Sequence, residues 1–102
     1  MKEAIAERKL ILINPDGNEF PITIYIGKPY RVDGVQWACS VEIEGLYKNL
    51  SDISGVDSFQ SLMLAQRLIY NLLKHFVEDG GKILSVDKTN EVNLNILFES
   101  GV

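Results

Sequence analysis

The sequence has few of the residues on which small enzymes and small secreted proteins depend. Its 102 residues include one cysteine, Cys39, and one histidine, His75. A single cysteine excludes a disulfide within the chain and the zinc patterns that need two cysteines. A lone histidine lacks the second convergent group that acid/base catalysis or metal binding normally requires. We therefore expect no catalytic residue, no metal and no cofactor.

Long charged and long apolar runs are also missing. The chain has ten Lys and Arg against fourteen Asp and Glu, a formal charge of −4, and no cationic run longer than Arg8-Lys9. We therefore expect no nucleic-acid partner, and no apolar run approaches the roughly 18 residues of a membrane span. The first nine residues carry charges where a signal peptide needs an apolar stretch. We expect a cytoplasmic protein whose acidic surface favours a basic protein partner, although solubility alone also explains the charge.

The composition and the hydrophobic pattern predict one α+β domain over residues 1–102. Hydrophobic residues make up 46% and charged residues 24%, as in globular proteins. Alternation predicts strands near 5–13, 19–27 and 35–44, joined as an antiparallel meander. The inward positions expected for the second and third strands are Phe20, Ile22, Ile24, Ile26, Val35, Trp37, Cys39, Val41 and Ile43. Trp37 is expected to be the largest core side chain, and Cys39 to be a buried core thiol.

From Val56 the apolar period becomes helical and predicts a helix near 58–79. Asp57 and Gln60 fit a capping box at its start, and Gly80-Gly81 fit its end. Strands near 82–86 and 92–98 follow. The expected fold is a mainly antiparallel five-stranded sheet in the order βββαββ, with the long helix packed on one face.

The other sheet face supplies the candidate partner-binding residues. They are Tyr25, Tyr30, Arg31, Glu42 and Glu44. Glu42 and Glu44 share the outward side of one strand and offer charge to a basic partner, while Tyr and Arg often contribute strongly to binding at interfaces. The same carboxylates are poor candidates for glycoside hydrolysis because a flat exposed face cannot separate their pKa values.

The predicted helix has a wide apolar arc. Phe59, Met63, Tyr70 and Val77 widen its core stripe on one side, and Leu64 and Leu68 lie at the other boundary. A broad core explains this arc, and an oligomer contact is the alternative. A small-molecule site between helix and sheet also remains open.

Several segments of the sequence resemble those of a known protein family. Residues 37–46 (WACSVEIEGL) and 55–62 (GVDSFQSL), followed by a long apolar helix, resemble a bacterial family of about this length whose function is unknown. Residues 6–8 and 14–17 are similar too. This resemblance implies no catalytic residues.

In size, charge and lack of chemistry, the chain is also similar to immunity proteins of bacterial competition systems, which block a cognate toxin that is often a basic nuclease. We therefore expect a noncatalytic binding module of the immunity type. A homo-oligomeric interaction protein is the alternative, and a small-molecule binder is the less favoured one.

Overall fold

A computed structural model describes residues 3–99 of the chain. The elements of this part are β1 (Ala4–Ile13), β2 (Glu19–Gly27), β3 (Tyr30–Arg31), β4 (Trp37–Cys39), β5 (Val41–Glu44), β6 (Ile53–Gly55), α1 (Ser58–Glu78), β7 (Lys82–Leu84) and α2 (Leu94–Glu99). The strands form two antiparallel sheets, one in the order β5-β2-β1-β7 and one in the order β3-β4-β6. The α+β class is confirmed. The prediction of a single five-stranded sheet is wrong.

The β1–β2 hairpin forms because its turn is stabilised by a side chain. The Asn14 Oδ1 atom accepts hydrogen bonds from the backbone N–H groups of Asp16 and Asn18, each at 3.0 Å. Gly17 supplies a φ of 89°, which favours glycine. Both predicted strands are confirmed here, and their buried inward residues are Leu10, Leu12, Ile22 and Ile24.

The predicted third strand over 35–44 is divided between the two sheets. It breaks at Ser40, whose carbonyl accepts a hydrogen bond from the Gly27 N–H at 2.8 Å where the chain passes from β4 to β5. The expected alternation fails before the break, since Val35 is 81% exposed and Ala38 is buried. After the break it holds, because Val41 and Ile43 are buried while Glu44 is exposed.

The second sheet contains two short strands that the sequence pattern did not predict, β3 and β6. β6 lies directly under the first turn of α1. A Cβ atom on Gly55 would lie 2.6 Å from the Ser61 backbone nitrogen, so only glycine permits this approach. The close contact fixes the start of α1 against the second sheet.

Helix α1 begins and ends close to the predicted residues 58–79. The Asp57 Oδ1 atom accepts a hydrogen bond from the Gln60 N–H at 2.7 Å, and the Gln60 Oε1 atom accepts one from the Val56 N–H at 2.8 Å. This reciprocal pair satisfies backbone donors at the helix start. Asp79 caps the other end, and Gly80 follows with a φ of 103°.

One hydrophobic cluster joins α1 to both sheets. Its buried members are Leu10, Leu12, Ile22, Ile24, Cys39, Val41, Ile43, Ala65, Ile69, Leu73 and Ile83. The expected packing of α1 near Ile22, Ile24, Cys39 and Val41 is therefore confirmed. Trp37, expected on the same face as the largest core side chain, is only half-buried and lies outside the cluster, so this part of the prediction is wrong. It is the first residue of β4 and pairs with Arg31 and Gly55. In the described residues, neither helix is long and apolar enough to cross a membrane.

The end of the described chain corrects the last predicted strand. The strand near 82–86 exists as β7, but residues 92–98 do not form a strand, and α2 occupies most of them. The Asn93 Oδ1 atom accepts a hydrogen bond from the Asn95 N–H at 2.9 Å and so acts as a helix cap. Leu94, Leu97 and Phe98 also have helical spacing, and Ile96 is 69% exposed.

Candidate partner-binding face

The four-stranded sheet has one face that α1 does not cover, which we call the outer face. Strand register arranges its side chains in rows. One row runs Glu7, Tyr25, Glu42, and the next runs Lys9, Thr23, Glu44. Directly opposite side chains in such rows lie roughly 4.5–5.5 Å apart at Cβ. The fold therefore brings Tyr25 beside a carboxylate on each neighbouring strand.

Glu42 and Glu44 face outward because their neighbours Val41 and Ile43 are buried in the core. Glu42 is half-buried and Glu44 is exposed. Within residues 3–99 neither carboxylate makes an ion pair, since the salt bridge found there joins Lys88 to Glu19 at 2.7 Å. The β5 side of the outer face thus carries negative charge that no described side chain neutralises.

Tyr25 combines a partly buried ring with the position between two carboxylates. Its backbone alternates with Ile24, which is buried, so the ring must lie on the outer side of β2. A half-buried aromatic ring flanked by charge is the kind of side chain that contributes binding energy once a partner excludes water from it.

The other two candidate residues lie on β3, in the second sheet, and not on the outer face. The Tyr30 hydroxyl donates a hydrogen bond to the Asp52 carboxylate, and this bond raises the pKa of Tyr30 above its usual value of 10.0. The Arg31 guanidinium donates to the carbonyls of Asp33, at 3.0 Å, and Gly34, at 2.9 Å. Both side chains therefore stabilise the second sheet and its turn. Their predicted role in partner binding stays a prediction.

The sequence predicts no catalytic or metal-binding role for Cys39 or His75. Cys39 is fully buried, as predicted, and its thiol donates to the Gly27 carbonyl at 3.3 Å. Burial raises the pKa of Cys39, which keeps it protonated and unreactive at neutral pH. His75 is exposed on α1. The described residues hold no group of three His, Cys, Asp or Glu side chains placed to bind a metal.

The apolar arc of α1 is less covered than the sequence predicted. Phe59 and Met63, expected to widen the core stripe, are 72% and 47% exposed, and Val77 is exposed too. On the opposite flank Leu64 is exposed and Leu68 is half-buried. The helix thus has exposed apolar side chains on both flanks. The wide apolar arc predicted from the sequence is present, but the core does not cover all of it.

Open grooves occur between α1 and the segments beside it. One, of about 520 Å³, is lined by residues that include Tyr70, Lys74, Glu78, Lys82 and Glu91. In this groove the Tyr70 hydroxyl donates a hydrogen bond to Asn95 Oδ1 at 2.9 Å, and the Lys74 ammonium lies 6.0 Å from the centroid of the Tyr70 ring.

Sequence reasoning missed Glu7 as a member of the outer face. Its placement was available from the hairpin: once Leu10 and Leu12 are inward, alternation puts Glu7 and Lys9 outward. The Asn14–Asn18 turn then sets the register that brings Glu7 opposite Tyr25.

Comparison with known proteins identifies the family of the chain and no relative of known function. The family described as a domain of unknown function (DUF6968) matches residues 6–96. No curated protein and no solved structure matches the chain.

Proposed function

The chain belongs to this family of unknown function, and we propose that it is a noncatalytic protein-binding module whose partner is a basic protein. The partner docks on the outer face, with Tyr25, Glu42 and Glu44 among its contacts. Tyr30 and Arg31 contribute through the loop of the second sheet, at the margin of the contact.

The observation that carries this proposal is the row Glu7, Tyr25, Glu42 on an uncovered sheet face. Glu44, in the next row, adds another carboxylate without an ion pair among the described residues. A negatively charged face of this kind raises the encounter rate with a positively charged partner and disfavours acidic ones. Because the strands of this sheet are already paired, covering them costs little backbone entropy.

Within this class the most specific proposal is an immunity-type inhibitor that neutralises a toxin, such as a basic nuclease. Its support is the short chain, the formal charge of −4 and the acidic side of the outer face. A basic nuclease must present positive charge to its own phosphate substrate, so an acidic sheet face is complementary to the surface that an inhibitor needs to block.

The test of the docking face is an association-rate measurement. The immobilised protein is used to capture basic proteins from a lysate of the organism that produces it, and each captured protein is purified. Association is then measured for wild type and for Glu42→Lys/Glu44→Lys at low and at high salt. We expect the double variant to associate about tenfold more slowly at low salt, and the two rates to converge at high salt.

The matched control is Glu78→Lys/Glu91→Lys, which makes the same change in net charge at exposed positions away from the outer face. It should slow association much less than the sheet variant does. Equal rates for wild type and the sheet variant at low salt would remove the outer face as the docking site. If the captured partner is a nuclease, loss of its activity at a one-to-one ratio supports inhibition, and full activity in the complex refutes it.

A further inference from the structure

Strand β1 has an open edge over its first half. It spans Ala4–Ile13 and pairs with β2 along its length, but on its other side β7 pairs only with Ile11–Ile13. No strand of the described residues pairs with that side of residues 4–10. An edge of this kind offers unpaired backbone donors and acceptors to another strand.

The ladder with β7 shows which backbone groups point out of this edge. The Ile83 carbonyl accepts a hydrogen bond from the Val92 N–H at 2.8 Å, so Ile83 directs its backbone away from β1. Since Ile83 lies opposite Leu12, the even-numbered residues of β1 direct their backbone toward β2 and the odd-numbered ones toward β7. By the same alternation, the N–H and C=O groups of Glu7 and Lys9 point out of the open edge.

A groove of about 450 Å³ lies beside this edge, on the inner side of the sheet. Its lining residues are Ala6, Glu7, Arg8, Ile24, Ile26, Gln66, Ile69, Leu97 and Phe98. Three of them are consecutive in β1, although alternation turns the Glu7 side chain to the outer face. The groove therefore reaches the backbone of the open edge, and its other walls are mainly apolar side chains of β2, α1 and α2.

Arg8 gives this groove a positive charge. It is exposed on the inner side of β1, opposite Ile24, and it makes no ion pair within residues 3–99. Ala6 is exposed on the same side, and its small side chain leaves the groove open toward Leu97 and Phe98. A ligand that fits both features carries a negative charge near Arg8 and an apolar group near Ala6.

We propose that this edge binds an extended peptide segment of another protein as an added strand, antiparallel to β1. The segment residues opposite Lys9 and Glu7 each exchange two backbone hydrogen bonds with β1. The residue opposite Arg8 is acidic and the residue opposite Ala6 is large and apolar, because both point toward the groove. This site is separate from the outer face and does not depend on the function proposed for that face.

Strand β7 limits the length of the segment. Leu84, the last residue of β7, lies opposite Ile11, whereas a segment opposite residues 5–9 stays clear of it. The antiparallel orientation is chosen because such pairs are slightly more stable per residue than parallel ones. So short a contact is well below the size of standard stable interfaces, and we expect weak, reversible binding.

Titration of the full chain with a synthetic peptide, followed by amide chemical shifts, tests this site. The probe is the end-blocked peptide Thr-Glu-Thr-Leu-Thr, whose Glu would lie opposite Arg8 and whose Leu would lie opposite Ala6. Its threonines favour an extended strand. The Glu7 and Lys9 amides should shift most and should exchange more slowly with solvent. The Arg8 amide, directed toward β2, should gain no protection.

Two N-methylated peptides separate an added strand from a ligand that only fills the groove. Methylation of the central threonine nitrogen removes a hydrogen bond to Glu7 and adds a clash, and it should weaken binding at least about tenfold. Methylation of the leucine nitrogen, which points away from β1, should change the affinity by less than about threefold.

Charge reversal tests the role of Arg8. Arg8→Glu should weaken binding of the probe by about tenfold, because it places two carboxylates opposite each other. A peptide with Lys in place of its Glu should bind this variant to within about threefold of the wild-type affinity for the probe. Arg67→Glu is the matched control, since it makes the same charge change at an exposed position of α1 outside this groove, and it should leave the affinity unaltered.

A wild-type chain that does not bind the probe at about 10 mM would overturn the proposal and leave the edge charges as protection against aggregation. Equal affinity for the two methylated peptides, or shifts that map away from Glu7 and Lys9, would overturn it as well, because the peptide would then not be an added strand. Failure of the charge-reversed pair to bind would refute recognition through Arg8.

Discussion

The two sheets of this protein differ in strand length and in the burial of their faces, and this difference indicates what each contributes to the fold. The four-stranded sheet is built around two long strands, β1 and β2, and has a buried inner face and an open outer face. The second sheet has strands of two or three residues, and its central strand buries two consecutive residues, Ala38 and Cys39. Consecutive burial means that both faces of β4 are covered. The first sheet therefore presents a surface, and the second holds α1 in place.

The second sheet also depends more on specific polar contacts. The Tyr30 hydroxyl bonds to Asp52, and the Gln36 Nε2 atom donates to the Ser54 hydroxyl oxygen at 2.9 Å. These bonds link β3 and the residues before β4 to the segment around β6. Short strands have few ladder hydrogen bonds and little apolar burial, so side-chain bonds between them carry more of the local stability.

The largest expected effect is a core truncation in the four-stranded sheet. Leu12 is fully buried, and Leu12→Ala should lower the free energy of unfolding by about 3 kcal/mol through lost burial and a residual cavity. Ile53→Ala in β6 removes a half-buried side chain and should lower it by about 1 kcal/mol. Urea unfolding followed by circular dichroism measures both. Equal losses would show that the two sheets share the core evenly.

A smaller effect should come from the contact between the second sheet and α1. Gly55→Ala places a methyl group 2.6 Å from the Ser61 nitrogen and 2.9 Å from its Cα, and backbone atoms cannot rotate away. We expect about 2 kcal/mol of destabilisation from the forced shift of α1. Gly34→Ala is the matched control, because a Cβ atom there meets nothing within 4 Å. If Gly55→Ala unfolds at the same urea concentration as Gly34→Ala, α1 is not held by this approach.

The same contrast decides how much of the fold could be predicted from the sequence. Strands β1 and β2 were predictable because one face of each is buried and the other is open. Apolar residues therefore recur with a period of two along the sequence. The residues of β4 were predicted as part of the strand 35–44, but their burial was not, because covering both faces removes that period: Ala38 is buried although alternation places it outward. The helix caps at Asp57 and Gly80 were predictable because capping is a local property.

The failure at residues 92–98 has a different cause. Val92, Leu94, Ile96 and Phe98 alternate, but Leu94, Leu97 and Phe98 satisfy a helical pattern as well. The Asn93 cap decides between them in favour of α2. For the candidate site, alternation placed Tyr25, Glu42 and Glu44 on one face, because each neighbours a buried residue. It could not place Tyr30 and Arg31, since sheet membership depends on long-range pairing that no local pattern encodes.

The smallest expected effect is a pH dependence that belongs to the second sheet. Burial, followed by the charge of Asp52, raises the pKa of Cys39 above 9.0, and the hydrogen bond to Asp52 raises the pKa of Tyr30 above 10.0. Both groups bind their proton more tightly in the folded chain. Their contribution is therefore complete below the unfolded-state pKa values and is lost as pH rises through the folded ones. The free energy of unfolding should fall as pH increases above about 9.

Urea unfolding at intervals from about pH 8 to about pH 10.5 measures this slope. Cys39→Ala and Tyr30→Phe should each flatten it, whatever their effect on stability at neutral pH, because each removes one titrating group. Ile24→Val in β2 is the control: it lowers stability by about 1 kcal/mol but keeps the wild-type slope. Parallel curves for wild type and both second-sheet variants would mean that the alkaline sensitivity does not originate in this sheet. The two sheets would then differ in strand length and burial, but not in their sensitivity to alkaline pH.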